Sequence, residues 1–271
     1  MSFWGKLSNL DRRIIFLAIF LAVILPLIFP IGLPIKKAQP PVEALYKYIE
    51  KLPNDSVVLV SIGYDPSSMP ELYPMTLAVV RHCFKKNLRV LGVSLTPTGI
   101  GLGEMAIKTA AEEYAKKEGI DYVYLGFKPG PVNFGMGEDI HATFPTDYNG
   151  VKMDDLPMMK NISTYKDIAI IVEYTASYSS YIGSAVTKYN ATLAVGVTAV
   201  GAADFYPYLQ TKQIIALLGG LRSAAEYELL IGKPDKGFIR MDSQSIAHLL
   251  IIVLIIIGNI AYFATRKKKV A

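Results

Sequence analysis

Two long apolar stretches lie near the ends of this chain. The first runs from Ile14 to about Ile35 and the second from Ile246 to Phe263, and neither contains a side chain charged at neutral pH. A helix needs about 20 residues to cross a hydrocarbon layer of about 30 Å. The pattern therefore predicts a transmembrane helix over 14–35, a second over 242–265, and a single folded domain over 36–241.

Between these stretches, short continuous β-branched runs alternate with segments of helical spacing. Continuous apolar runs are typical of strands buried on both faces of a parallel sheet. Their alternation with helices indicates right-handed βαβ crossovers. The predicted strands are Ser56–Gly63, Leu88–Leu95, Asp121–Leu125, Ile168–Tyr174 and Thr192–Val200, and the predicted helices are Val42–Leu52, Tyr73–Lys86, Glu104–Lys117 and Ser180–Tyr189.

These elements predict one α/β domain with a doubly wound, mostly parallel five-stranded sheet, flanked by N- and C-terminal transmembrane helices. The layout resembles Rossmann-like and flavodoxin-like sheets in pattern alone, because no family signature accompanies it. The stretch Tyr208–Ile231 departs from the alternation and is predicted to be helical. It has two interpretations: a helix pair that closes the sheet, or an amphipathic element on the membrane or on a partner helix.

The basic residues are concentrated at the two ends of the chain. The formal net charge is +5, yet five Lys or Arg stand against one Asp before residue 38, and four of the last six residues are basic. Lys and Arg at the ends of spans contact anionic headgroups, which favours a lipid bilayer as partner and leaves no basic footprint for nucleic acid. The flanks 1–13 and 266–271 predict a two-pass protein of the cell membrane, with cytoplasmic termini and an extracytoplasmic domain.

One cysteine, Cys83, excludes an intramolecular disulfide framework. It follows His82 in a predicted helix, where adjacent positions do not face each other. We therefore expect Cys83 to be a packed core residue rather than a thiol nucleophile.

The loop after the first predicted strand carries the first candidate site, because ligands of open parallel sheets bind at the carboxyl ends of the strands. Asp65 is a candidate catalytic carboxylate, and Ser67 and Ser68 are candidate ligand-binding residues. In the alternative interpretation these residues only turn the chain and cap a helix. Ser68 and Glu71 have the spacing of a capping box.

Alternate glycines follow the second predicted strand. Gly99, Gly101 and Gly103, preceded by Thr98, can let backbone N–H groups converge on an anion at a helix N-terminus. The loop lacks the spacing of a P-loop and of a dinucleotide fingerprint. The four residues are candidate ligand-binding positions, and the alternative is a tight strand-to-helix turn.

The segment 127–155 is too long for a plain connection. It contains Glu138, Asp139 and His141, whose side chains are metal ligands in other settings. Because loop spacing fixes no coordination geometry, no metal site is predicted. We interpret the segment as a mobile cover over the sheet edge or as a surface for a partner protein.

Glu173 lies at the end of a predicted buried strand, where a carboxylate is costly unless it is paired. It is therefore the second candidate catalytic residue. If Asp65 faced it across the sheet, the like charges would raise one of the two pKa values, as general acid/base chemistry requires. Thr175 and the Ser and Tyr residues after it suit hydrogen-bonded recognition, and Thr175 is a candidate ligand-binding residue.

His248 and Asn259 are polar residues inside the second apolar stretch. Polar groups are costly in lipid, so both are predicted to face another helix, either the first span, another membrane protein or a second copy of this chain. Proton transfer is the alternative role.

No Ser-His-Asp arrangement, nucleophile elbow or zinc motif accompanies these candidates. We therefore expect a membrane-tethered α/β module that binds a small ligand or assembles into a larger membrane complex. The alternative is a membrane-bound hydrolase or transferase that uses Asp65 and Glu173, with the glycine loop as anion site. The sequence leaves enzymatic activity, cofactor and ligand open.

Overall fold

The computed structural model describes residues 11–32 and 37–266, which form two units, one over 37–237 and the other over 11–32 and 238–266. The first is the α/β unit and the second holds the apolar stretches. Of the predicted basic flanks, residues 1–10 and 267–271 lie outside the described residues. So do residues 33–35 at the end of the first predicted span and residue 36 after it.

The apolar unit contains helix α1 (Arg12–Ile28) and most of the long C-terminal helix Lys236–Arg266. Within residues 11–32 and 37–266, one helix, over Lys236–Ala264, is long and apolar enough to cross a membrane.

The predicted span over 14–35 is not confirmed, because α1 has 17 residues and ends at Ile28 rather than continuing to Ile35. Pro30 disfavours the helical conformation of Phe29, and Gly32 has a φ of +70°. After the helix, the backbone N–H groups of Ile31 and Gly32 donate to the Asp242 carboxylate at 3.0 and 2.7 Å.

The α/β unit is built on a parallel sheet of six strands, so the predicted α/β class is confirmed. Neighbouring strands pair in parallel in the order β3-β2-β1-β4-β5-β6, which reverses direction between β1 and β4. The strands are β1 (Val57–Gly63), β2 (Arg89–Ser94), β3 (Tyr122–Phe127), β4 (Ile170–Thr175), β5 (Leu193–Val197) and β6 (Ala216–Gly219).

The prediction of five strands is corrected by β6, which lies inside the stretch Tyr208–Ile231 that was predicted to be helical. A short, fully apolar run shows no period, so it does not distinguish a buried strand from a helix. The turn after β6 carries the distinguishing signal. Gly220 has a φ of +66°, and a Cβ there would lie 2.7 Å from the Cβ of Ala199.

Helices cover both faces of the sheet. On one face lie α2, α3, α4 and α9, and their core includes Leu45, Phe84 and Tyr227. On the other lie α5 to α8, with Met136 and Phe205 in the core. The helices are α2 (Pro40–Lys51), α3 (Met69–Lys85), α4 (Ile100–Glu113), α5 (Val132–Glu138), α6 (Ile140–Thr143), α7 (Thr187–Tyr189), α8 (Ala202–Gln210), α9 (Gly220–Leu230) and the long C-terminal helix α10 (Lys236–Arg266).

The segment 127–155 is built from short elements rather than one open loop. It contains α5, α6 and a 3-10 turn at Met153–Asp155. The side chains of Val132, Met136 and Ile140 are buried in the second core. The segment therefore contributes to the layer that covers one face of the sheet.

Candidate functional site

A cleft of about 340 Å³ opens at the carboxyl ends of four strands. It lies where the strand order reverses, since β1 and β4 both contribute to its wall. Chains leaving two such neighbouring strands turn to opposite faces of a sheet, which leaves a crevice between them. The lining residues come from the ends of β1 to β4, the loops after them and the start of α5: Gly63, Leu95, Thr96, Lys128, Gly130, Val132, Asn133, Glu173, Thr175, Ser177, Tyr178 and Ser180.

Glu173 is the buried acid of this cleft. It is 1% exposed and pairs in register with Ser61 of β1. Its carboxylate accepts hydrogen bonds from the Ser179 hydroxyl, from the Ser180 N–H at 3.2 Å and from the Ser180 hydroxyl at 3.3 Å. Burial raises the pKa of Glu173 from 4.5 to about 7, and these hydrogen bonds oppose the rise. The group therefore changes protonation near neutral pH.

Two hydroxyls next to this acid have no hydrogen-bond partner within the part of the chain that the structure describes. They belong to Ser61 and Tyr181, both fully buried. Burial raises the pKa of Tyr181. A contact with the Ser61 hydroxyl opposes this rise, and the Glu173 carboxylate adds to it. Ser61, Tyr181 and Glu173 therefore form one buried polar group beside the cleft.

Asn133 fixes the shape of the cleft wall. Its side-chain amide donates to the Ser180 carbonyl at 3.0 Å and to the Ser184 hydroxyl at 2.8 Å. The Tyr165 hydroxyl donates to the Asn133 carbonyl. These bonds tie α5 to the loop after β4, whose Thr175 hydroxyl donates to the Tyr178 carbonyl at 2.8 Å.

Lys128 is the cationic residue among the cleft-lining residues given above. It is exposed, and its Nζ donates to the Thr143 carbonyl at 2.6 Å. It also lines a neighbouring hollow of about 360 Å³ beside α5. The ammonium group therefore lies at the rim where the cleft meets this hollow.

Asp65 does not join Glu173 in the cleft lining. It is exposed, and its carboxylate accepts from the N–H and hydroxyl of Ser67 at 2.9 and 2.6 Å and from the Ser68 N–H at 3.3 Å. The Ser67 hydroxyl and the Ser68 N–H hold the pKa of Asp65 below its usual value. The expected capping box does not form, because Ser68 makes no side-chain cap and Glu71 instead accepts from the Ala199 N–H at 2.9 Å.

The glycine loop also lies outside the cleft lining. Thr98 and Gly99 form a 3-10 turn before α4, while Gly101 and Gly103 lie inside α4. None of the three glycines has a positive φ, so the loop lacks the left-handed residue of an anion-binding nest. A Cβ at Gly103 would lie 2.7 Å from the Tyr124 hydroxyl, which indicates close helix–sheet packing.

The ligand-type side chains of the segment 127–155 are engaged by the protein. Asp139 caps α6 by accepting from the Ala142 N–H at 3.0 Å, and Glu138 pairs with Lys188 at 3.0 Å. His141 contacts Asp154 at 3.0 Å. Among the described residues, no group of three or more His, Cys, Asp or Glu is placed to hold a metal ion.

Cys83 lies in the core rather than in the cleft, and burial raises the pKa of its thiol to about 12. The neighbouring His82 is also buried and contacts the Tyr227 hydroxyl at 2.8 Å and the Glu50 carboxylate at 2.9 Å. Burial lowers the pKa of His82, and Glu50 partly offsets this effect. The cluster joins α2, α3 and α9 on the first face of the sheet.

Two of the predicted site residues, Glu173 and Thr175, therefore line one cleft. Thr96, Lys128 and Asn133 were not among the predicted site residues. Thr96 follows β2 and Lys128 follows β3, so their positions after buried runs were an available signal. Asn133 gave no such signal, because it does not directly follow a strand and reaches the cleft only through the position of α5.

No protein-family model, curated protein or solved structure matches this chain.

Proposed function

We propose that this protein is a membrane-tethered α/β module that binds a small polar ligand in the cleft at the ends of β1 to β4. The observation that carries the proposal is a buried carboxylate, Glu173, in the wall of an open cleft. A charge-bearing group is rarely kept in such a place unless something pairs with it. The strand order is also that of Rossmann-like sheets, which bind ligands where the order reverses.

A panel of small metabolites tests this proposal through thermal unfolding of the full chain in detergent micelles. Ser177→Trp fills the cleft, because Ser177 is exposed and lines it. Ser163→Trp is the matched control at another exposed serine. We expect at least one compound to raise the Tm of the wild type and of Ser163→Trp, but not of Ser177→Trp. A panel without such a compound, or one whose active compounds act equally on both variants, contradicts the proposal.

A hydrolase or transferase is the second candidate function. It is favoured by the contact between the Ser179 hydroxyl and Glu173, whose pKa of about 7 suits proton transfer near neutral pH. The two-carboxylate mechanism is not supported, since Asp65 is exposed and engaged in its own loop. Mass spectrometry of each binding compound after incubation tests this candidate. Conversion by the wild type that is lost in Glu173→Gln supports it, and recovery of every compound unchanged contradicts it.

Membrane attachment is proposed at both ends of the α/β unit. Large apolar side chains are exposed along α1 and α10, among them Phe20 at 57% and Ile255 at 57%. Such surfaces are unfavourable in water and are typical of a lipid-facing helix. We place α1 in the bilayer together with α10, with both termini cytoplasmic and the α/β unit extracytoplasmic.

Cysteine labelling tests this topology, because the native Cys83 is fully buried and gives little background. An impermeant maleimide is applied to intact cells that express single-cysteine additions to the full chain. We expect Lys160→Cys in the α/β unit to react, and Lys6→Cys and Lys268→Cys to react only after permeabilisation. The reverse pattern overturns the sidedness, and different behaviour of the two terminal positions overturns the two-pass arrangement.

Association through α10 is proposed for the exposed His248. Asn259 has less need of a partner, because its amide donates to the Ile255 carbonyl of its own helix at 2.9 Å. The partner is a membrane protein or a second copy of this chain. Disulfide crosslinking of His248→Cys in membranes, compared with Leu249→Cys on the next helix position, tests this contact. Equal crosslinking of both variants, or none, contradicts contact with a second copy of this chain.

A further inference from the structure

The cleft carries opposite charges on two of its walls. Glu173 extends from the end of β4 into the wall, and Lys128 lies at the rim after β3. These are its two ionisable residues of opposite sign, and no ion pair joins them among the described residues. A ligand that enters the cleft therefore meets an acceptor group on one side and a cationic donor on the other.

The Glu173 carboxylate has a lone pair left for a further donor. A carboxylate offers about four lone-pair sites, and Ser179 and Ser180 occupy three of them. All three donors are neutral groups. A buried carboxylate is best stabilised by an opposite charge in direct contact.

The Lys128 ammonium also has donors to spare. An ammonium group carries three N–H donors, and the structure gives Nζ one protein acceptor, the Thr143 carbonyl. A carboxylate is the natural partner of a cation held at the edge of a cleft.

We propose that the ligand of this cleft is a small zwitterion of the α-amino acid type, with its ammonium group on Glu173 and its carboxylate on Lys128. The inference rests on the proposed function, because it takes the cleft to be a ligand site. The ammonium group of such a molecule gives Glu173 a positively charged partner, and its carboxylate gives Lys128 a negatively charged one. Thr96, Thr175 and Ser177 also line the cleft, and their hydroxyls can accept hydrogen bonds from the body of the ligand.

The size of the cleft agrees with a ligand of this kind. A volume of about 340 Å³ lies at the lower end of the range of about 300–1,000 Å³ that small-molecule sites cover. Tyr178 stands at the mouth and is 75% exposed. Its ring is available to pack on the ligand or to lie over an ammonium group.

A phosphate-bearing ligand fits less well. Lys128 is the only Lys or Arg among the cleft-lining residues given above, and the glycine loop is neither in the lining nor in a nest conformation. Nucleotide sites draw on helix N-termini and converging N–H groups for their phosphates.

Isothermal titration of the full chain in detergent micelles tests the zwitterion directly. The probes are the twenty standard amino acids and, for each one that binds, its N-acetyl derivative and its primary amide. The N-acetyl form lacks the ammonium group and the amide lacks the carboxylate. We expect both derivatives to bind at least tenfold more weakly than the parent.

Variants of the protein assign the two charges. We expect Glu173→Gln and Lys128→Met each to weaken binding of the parent amino acid at least tenfold. Lys160→Met, at another exposed lysine, is the matched control and is expected to leave the affinity unchanged. Lys128→Met should also bind the parent and its amide equally, because the carboxylate has lost its partner.

Each contrary outcome has a distinct meaning. If the two derivatives bind as tightly as the parent, the charged ends are not recognised and the proposal is overturned. If no amino acid binds while another compound acts in the Ser177→Trp test, the zwitterion is overturned and the ligand site stands. If neither assay finds a ligand, both proposals fall. The derivative comparison uses the wild type, so it decides the question even if Glu173→Gln does not fold.

Discussion

At Glu173, burial and hydrogen bonding act in opposite directions on one carboxyl group. Removal from water raises its pKa, and the donors from Ser179 and Ser180 lower it without cancelling the effect. The other ionisable side chains that this charge influences, Tyr165 and Tyr181, stay neutral because burial raises their pKa values further. The folded protein therefore holds a proton on Glu173 more tightly than the unfolded chain does.

This difference predicts that stability falls as the pH rises. Glu173 has a pKa of about 7 in the folded state and 4.5 as its ordinary value. The stabilisation by its proton is fully present below pH 4.5 and is lost as the pH rises through about 7, by at most about 3 kcal/mol. We expect urea unfolding of the full chain in micelles to show a smaller loss between pH 5 and pH 8 in Glu173→Gln than in the wild type. Parallel pH profiles of the two proteins would contradict this prediction.

The sequence located Glu173 because a carboxylate at the end of a continuous apolar run has few structural roles. The sequence did not show whether Asp65 faces a ligand or caps its own loop, because an Asp beside Ser67 and Ser68 fits both roles. Local hydrogen bonds decided the placement of Asp65. Lys128 and Asn133 could not be grouped with Glu173 from the sequence, because only the crossover from β3 to β4 brings them to the same cleft.

Among the elements, α4 shows why the regular spacing of glycines wrongly suggested an anion-binding loop. Gly101 and Gly103 both lie in this helix, but they face different surroundings. A Cβ at Gly101 would have no heavy atom within 4 Å, whereas one at Gly103 would lie 2.8 Å from Ile62 on β1. The spacing resembles an anion loop, and packing against the sheet accounts for Gly103.

The two glycines predict opposite effects of the same substitution. We expect Gly101→Ala to stabilise the protein by up to about 1 kcal/mol, because alanine favours the helix. Gly103→Ala should destabilise it by about 1–3 kcal/mol, because the new methyl group overpacks the contact with Ile62 and Tyr124. Urea unfolding of both variants provides the measurement, and each is the control for the other. Equal effects would show that backbone conformation, not packing, governs this loop.

The elements were predictable where their apolar runs were clearly bounded along the sequence. The runs that became β1, β2, β4 and β5 were continuous and bounded by turn residues. β6 has only four residues and lies between two helices, so its apolar run merged with theirs. The end of α1 depends on Pro30 and Gly32. Both residues were counted as part of the apolar stretch, so the predicted span was too long.

For the whole molecule, α9 fixes both ends of the α/β unit. The buried carboxylate of Glu226 accepts from the Gln39 N–H at 2.9 Å, just before α2 begins. Two residues later, Glu228 accepts from the N–H groups of Asp235 and Gly237, both at 2.9 Å, where α10 begins. The chain therefore enters and leaves the unit beside a single turn of helix.

This arrangement predicts that Glu228 controls the order of the segment before α10. Glu228→Ala removes the acceptor of two N–H groups, and we expect a loss of about 2–4 kcal/mol in the free energy of unfolding. Tryptic cleavage after Lys236 should become faster than in the wild type. Glu112→Ala, at an exposed position of α4, is the matched control. Cleavage at the wild-type rate would mean that other contacts hold this segment.

The proximity of Gln39 and Gly237 to one turn of α9 gives the α/β unit the geometry of an inserted domain. A unit of this kind interrupts the polypeptide at a single point, between the residues before Gln39 and those after Gly237. We therefore expect that a short Gly-Ser linker between residues 38 and 237 would circularise the α/β unit. We also expect that the unit would fold when inserted into a hairpin loop of another protein.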